Sequence, residues 1–79
     1  MTATKPSAVL DATGLRCPLP VLRARKAMKT VDPGGVLEVI ATDPSAVADF
    51  QSFCETTGDE LLSWKEREGR FTFLIRKAG

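Results

Sequence analysis

The stretch "VLEVIATDPSAVADFQSFCETTG", residues 36–58, joins a strand signal directly to a helix signal. Val36 to Thr42 is short and rich in branched residues, which suits a strand with much of both faces covered. Asp43 stands where an N-cap is wanted, Pro44 suits the first helical position, and Gly58 suits the residue just past the helix end. Between them Ala46, Val47, Phe50, Phe53 and Cys54 recur at helical spacing and form one apolar side. A strand running straight into a capped helix is part of a larger alternating unit, so its neighbours decide the fold.

Toward the N-terminus, Ala8-Val9-Leu10 reads as a short strand ended by the turn-forming "DATG", residues 11–14. From Pro18 a second helical pattern begins. Val21, Ala24, Met28 and Val31 share one face, with Arg23, Lys26, Lys29 and Thr30 turned away. It stops before "DPGG", residues 32–35, where Pro33 cannot continue a helix. Toward the C-terminus, "LLSWKEREGRFTFLIRK", residues 61–77, reads as a hairpin turning near Glu68-Gly69, with Phe71, Phe73 and Ile75 on one face.

The order is βαβαββ. A strand-helix-strand unit crosses over right-handed to give parallel strands, whereas a short hairpin is antiparallel. The expected fold is α/β: a two-layer sandwich of a mixed four-stranded sheet with both helices on one face. The other face then carries some of Val36, Ile40, Thr72 and Leu74. The direction of Trp64 hangs on a one-residue register, with a core or half-buried place the better fit to its size.

Seventy-nine residues, 43% hydrophobic and 27% charged, allow one small core. The expected organisation is a frayed end at residues 1–6 and a single domain at residues 7–79, with any chemistry near its surface. No apolar run approaches the ~18 residues of a membrane span and no leader pattern is present, so the expected setting is cytoplasmic, with no membrane partner. In that reducing setting Cys17 and Cys54 are expected as free thiols. Two cysteines without a histidine do not make an ordinary zinc site, and no metal is expected. The absence of histidine and tyrosine also removes the commonest general bases, excluding Cys-His and Ser-His mechanisms.

The net charge is +1, but its distribution is uneven. Arg16, Arg23, Arg25, Lys26 and Lys29 fall within residues 12–31, which hold no acid, while nine of the ten acids follow between Asp32 and Glu68. Such a dipolar surface can steer an acidic partner, although a solvated helix face accounts for it as well. Direct nucleic-acid binding is not expected, because no stacking motif accompanies the near-neutral charge.

"GLRCPLP", residues 14–20, carries the chemistry. Pro18 disfavours the α region for Cys17 and itself suits the first helical position, so Cys17 is expected at the N-cap. Pro18 and Pro20 lack N–H groups, leaving those of Leu19 and Val21 as free donors near the thiol. Together with the helix dipole and Arg16, they are expected to favour the thiolate. A start at Pro20 would leave the thiol facing the helix entrance with weaker capping. An inert thiol in a proline-rich turn is the plainer alternative, and for Cys54, beside Phe50 and Val47, a core role is the better reading. A lone thiolate with no base and no Cys-x-x-Cys partner is suited to sulfur exchange, in which a thiolate attacks sulfur. A persulfide carrier fits that chemistry, and redox sensing is a further alternative.

"LDATGLRCPLPVLRARKAM", "PGG", "ATDPSAVADFQSFCETTGDELL" and the terminal "FLIRK" together resemble the TusA/SirA-like sulfur-carrier proteins over nearly the whole chain. The resemblance implies the same two-layer fold and makes Cys17 the persulfide-bearing residue, with no cofactor beyond that covalent sulfur. It implies a cysteine desulfurase or other sulfur donor as one partner and a sulfur-acceptor protein as the next, in a relay toward thiolation of the tRNA wobble uridine. Relatives serve molybdenum-cofactor synthesis or sulfur oxidation instead. Arg25 and Asp43 match positions that the resemblance associates with docking or transfer, though a capping role explains Asp43 independently. Leu19 stands where many relatives have an acid, a departure that bears on partner choice. A non-catalytic module using the basic helix to bind an acidic partner is the reading from another functional class.

Overall fold

A computed structural model describes residues 6–78. Its elements are β1 (Ala8–Ala12), α1 (Leu19–Met28), β2 (Val36–Ala41), α2 (Ala46–Thr57), β3 (Glu60–Arg67) and β4 (Arg70–Arg76). The strands lie in the order β1-β2-β4-β3. The pair β1 and β2 is parallel, and β4 is antiparallel to both β2 and β3. This is the expected mixed sheet. The expectation of a frayed segment at residues 1–6 falls, except for Pro6, outside the described residues.

The pleat divides the two faces. Leu37, Val39 and Ala41 of β2 meet Ile75, Phe73 and Phe71 of β4 across the ladder and face the helices. Ala24 and Met28 of α1 and Ala46, Phe50, Phe53 and Cys54 of α2 complete the same core, so both helices cover one face. Phe50 and Phe73, both fully buried, lie with ring centroids 4.7 Å apart and lock α2 onto the sheet. On the opposite face the register places Val36, Glu38 and Ile40 beside Arg76, Leu74 and Thr72.

Trp64 pairs with Phe73 and therefore points to the helix side. The cause is an irregularity in β3: Leu61 pairs with Ile75 but Ser63 with Leu74, so Leu62 is the extra residue of a bulge. That single insertion exchanges the faces of every later side chain in the strand. Trp64 remains 43% exposed because β3 is an edge strand, with its ring against Phe71 and Phe73. The hairpin turns as expected at Glu68 and Gly69, whose φ angles of 54° and 79° suit the tight turn that matches strand twist.

Several element ends differ from the sequence expectation, β2 stopping at Ala41 and α1 at Met28 among them. The first strand continues through Asp11 and Ala12, where the Asp11 carboxylate accepts hydrogen bonds from the Thr13 N–H and hydroxyl and so forms the turn. The second helix begins at Ala46 rather than Pro44, with Ser45 in the cap position. Asp43 still performs the capping chemistry, because its carboxylate accepts the Ser45 N–H and its carbonyl accepts the Ala46 N–H. Gly58 ends α2 as expected, left-handed at φ 83° with its N–H donated to the Cys54 carbonyl at 2.9 Å. The first helix begins at Leu19, with consequences for the thiol described next.

Candidate functional site

The parallel pairing of β1 and β2 puts their C-terminal ends, Ala12 and Ala41, side by side. The segments that follow must therefore run together, and one of them carries Cys17. Such an edge is where open α/β sheets place their sites. Two hydrogen bonds join the segments. The Gly14 N–H donates to the Thr42 hydroxyl at 2.9 Å, with Gly14 at φ 80°, a conformation that disfavours any side chain. The Cys17 N–H donates to Asp43 Oδ2 at 2.5 Å, while Asp43 Oδ1 takes the Ser45 N–H at 3.0 Å. One carboxylate thus caps the approach to α2 and holds the cysteine loop. The N–H groups of Ser45 and Cys17, with the Arg16 charge nearby, hold the Asp43 carboxyl below the ordinary aspartate value.

Cys17 is exposed, as a residue that must meet other molecules requires. Its surroundings correct the expected thiolate cradle. The cap position of α1 is Pro18, at φ −99° and ψ 16°, with no side-chain capping bond, so the sulfur sits one residue before the cap. The Leu19 N–H is not free, being donated to the Arg16 carbonyl at 2.8 Å in the turn that precedes the helix. Arg16 acts on Asp43. What reaches the thiol instead is Asp49, on the first turn of α2. A hydrogen bond to the Asp49 carboxylate pushes the thiol pKa up, and desolvation and the charges of Asp49 and Asp43 push in the same direction. This direction is opposite to the one expected from the helix entrance.

The remaining motif residues separate by role. Pro20 is fully buried and seats the start of α1 on the core, whereas Pro18 shapes the exposed turn through a cis Cys17–Pro18 bond. Leu19 and Leu22, 43% and 54% exposed, put apolar surface on the outside of α1 close to the thiol. Arg25 is not part of the thiol site. It lies in the last turn of α1, eight residues beyond Cys17 and roughly 9 Å of helix beyond Leu19. There it lines an open groove of about 450 Å³ with Lys29, Met28 and Phe53. Cys54 is buried, and burial pushes its pKa up to about 11, which fits an inert core thiol.

Sequence reasoning missed Asp49. An acid in the first turn of a helix reads as a partner for the helix dipole. Its position beside the apolar stripe of α2, six residues after Asp43, was the available signal. That it faces Cys17, 32 positions earlier, follows only from the packing of α2 against α1.

Residues 8–77 match the family model described as sulfurtransferase TusA. The chain belongs to the TusA sulfurtransferase family. The resemblance carried by the Cys-Pro-x-Pro and Asp-Pro motifs is thereby established. The chain is 55% identical over 69 residues to the sulfur carrier protein TusA of Allochromatium vinosum, covering 87% of this chain and 91% of that protein. It is 49% identical over 77 residues to the sulfur carrier protein TusA of Pseudomonas putida strain GB-1, covering 98% and 96%. The crystal structure of a SirA-like protein from Desulfitobacterium hafniense matches with a TM-score of 0.78 at 27% identity, covering 91% of this chain and 99% of that one. Among the described residues, no helix is long and apolar enough to cross a membrane.

Proposed function

We propose that the protein is a persulfide carrier in which Cys17 is the nucleophile and the sulfur-bearing residue. The observation that carries this reading is the exposed Cys17 held between two helices by Asp43, in a chain belonging to a sulfurtransferase family. In the loading step the Cys17 sulfur attacks the outer sulfur of a donor persulfide, R–S–SH. A new S–S bond forms at Cys17 while the donor's S–S bond breaks, and the donor sulfur leaves with the bonding pair. The proton lost by the Cys17 thiol balances the thiolate that leaves, so Cys17–SH and R–S–SH become Cys17–S–SH and R–SH. Unloading repeats the exchange with an acceptor thiol, and no external oxidant or metal is needed.

Each other residue has a place in this reading. Asp43 fixes the loop, Pro18 and Pro20 shape and seat the helix entrance, and Leu19 and Leu22 provide contact surface around the sulfur. Arg25, with the rest of the basic flank of α1, docks an acidic region of a donor such as a cysteine desulfurase. The sulfur passes to an acceptor protein in the cytoplasm, toward thiolation of the tRNA wobble uridine.

The test is incubation with a cysteine desulfurase and cysteine, followed by mass spectrometry of the Cys17 peptide. One added sulfur, removable by reductant, is expected. For the pathway, loss of the gene should deplete the thiolated wobble uridine. Intact thiolation together with failed sulfur oxidation or failed molybdenum-cofactor synthesis would assign the carrier to the other route.

A further inference from the structure

We propose that the sheet face opposite the helices is a self-association surface, on which two copies of this chain pack face to face about a two-fold axis running along the strands. Both helices cover the other face, so this one has no second layer. It is not the polar exterior that such a sheet ordinarily turns to water. Val9 of β1 is 60% exposed, and Ile40 of β2 and Leu74 of β4 are half-buried on the same side. Two open hollows lie on this face, one of about 400 Å³ beside Glu38 and Leu74 and one of about 430 Å³ beside Thr72 and Arg70. They leave room for side chains of a facing layer.

The charges of this face are divided by strand. The acids Asp11 and Glu38 stand on β1 and β2, and the cations Lys65, Arg67 and Arg70 on β3 and β4. Arg76 and Glu60, at the end of the face, already form an ion pair with each other. The ladder sets Asp11, Ile40, Thr72 and Lys65 in one row across all four strands, and Val9, Glu38, Leu74 and Ser63 in the next. Rotation about an axis parallel to the strands, between β2 and β4, brings β1 of one copy over β3 of the other and leaves the rows aligned. Asp11 then faces Lys65 of the second copy, and Ile40 faces Thr72, each contact occurring twice. Glu38 faces Leu74 of the second copy, with that copy's Lys65 one row away. An axis across the strands would set β1 on β1 and the acids on one another. The face is therefore complementary to a copy of itself in one orientation. Aligned packing of this kind holds two sheets about 10 Å apart. Cys17 stays clear of the contact, because α1, which it precedes, lies in the other layer.

Four strands about 4.8 Å apart make a face under about 20 Å wide. The contact is thus at the low end of interface size, with a dissociation constant expected on the order of 10–100 µM. Sedimentation velocity tests this on the native protein, in reductant so that Cys17 forms no disulfide. At low ionic strength, monomer should give way to dimer between about 5 µM and 1 mM, and added salt should weaken the association. Lys65→Glu sets like charges against Asp11 and should raise the dissociation constant about ten-fold or more. Asp11→Lys should do the same. An equimolar mixture of these two variants should associate more tightly than either alone, since both Asp11–Lys65 contacts of the mixed pair again join opposite charges. Thr72→Arg, which obstructs the middle of the face, should leave a monomer whose circular dichroism and melting are native. Lys26→Glu, on the exposed side of α1, should dimerise like the native protein. A native protein that stays monomeric at about 1 mM and low salt overturns the proposal. So does a dimer indifferent to Lys65→Glu and Thr72→Arg, which would be formed through another surface. Sulfur loading of Cys17 takes no part in these measurements, so the carrier reading stands or falls separately.

Discussion

The Asp43 carboxylate binds the Cys17 backbone: its Oδ2 accepts the Cys17 N–H at 2.5 Å while Oδ1 accepts the Ser45 N–H at 3.0 Å. The loop that presents the thiol is therefore fastened to the start of α2 by an ionised side chain. Its integrity should depend on pH.

The direction of that dependence follows from the lowered carboxyl pKa of Asp43 in the fold. A depressed carboxyl contributes stability that is fully present above its unfolded value, near 3.8, and is lost as pH falls through the lower folded value. Acid unfolding of the native protein and of Asp43→Asn should therefore converge as pH drops below about 4. The native protein should be the more stable of the two at neutral pH. Parallel acid profiles would show that the clamp contributes nothing.

The second prediction concerns thiol reactivity. With Asp49 and Asp43 holding the proton on, Cys17 should alkylate with a midpoint above that of an ordinary cysteine, and Asp49→Asn should lower it. At neutral pH the variant should then react with iodoacetamide several-fold faster. Cys54, buried and shifted to about 11, should be labelled only after denaturation. A Cys17 midpoint below the ordinary value would restore the thiolate cradle expected from the sequence.

Core packing gives a third. Phe50 fills the space between α2 and Phe73, so Phe50→Ala removes a buried ring and leaves a cavity. The expected loss is about 3–5 kcal/mol, a large share of the stability available to so small a domain. Urea denaturation measures it directly, and a loss of under about 1 kcal/mol would contradict the packing described.

Gly58 gives a fourth, smaller effect. At φ 83° it ends α2 in a conformation that costs an alanine about 1–2 kcal/mol. Gly58→Ala should lower the unfolding free energy from urea denaturation by that amount and leave sulfur loading unchanged, because the site lies at the other end of α2.

The alternation of strand and helix signals was legible because each carries its own punctuation. Asp43 and Gly58 bracket α2, Pro18 and Pro33 bracket α1, and Glu68-Gly69 turns the hairpin. The direction of Trp64 was not, since a bulge at Leu62 decides it and bulges leave no composition signal in so short a strand. Cys17 stood out by its local chemistry, but its acidity did not. The dipole and N–H arguments concern its own helix, whereas Asp49 and Asp43 come from the other helix and its approach, outside any local reading. The direction of the thiol's shift is thus set from outside its own helix.

Loading the native protein, Cys17→Ser and Cys54→Ser side by side with a cysteine desulfurase and cysteine, then weighing each intact protein, tests the carrier assignment most directly. One reductant-labile sulfur on the native protein and on Cys54→Ser, with none on Cys17→Ser, is the predicted result. Sulfur retained by Cys17→Ser, or lost from Cys54→Ser while that variant remains folded, would contradict it.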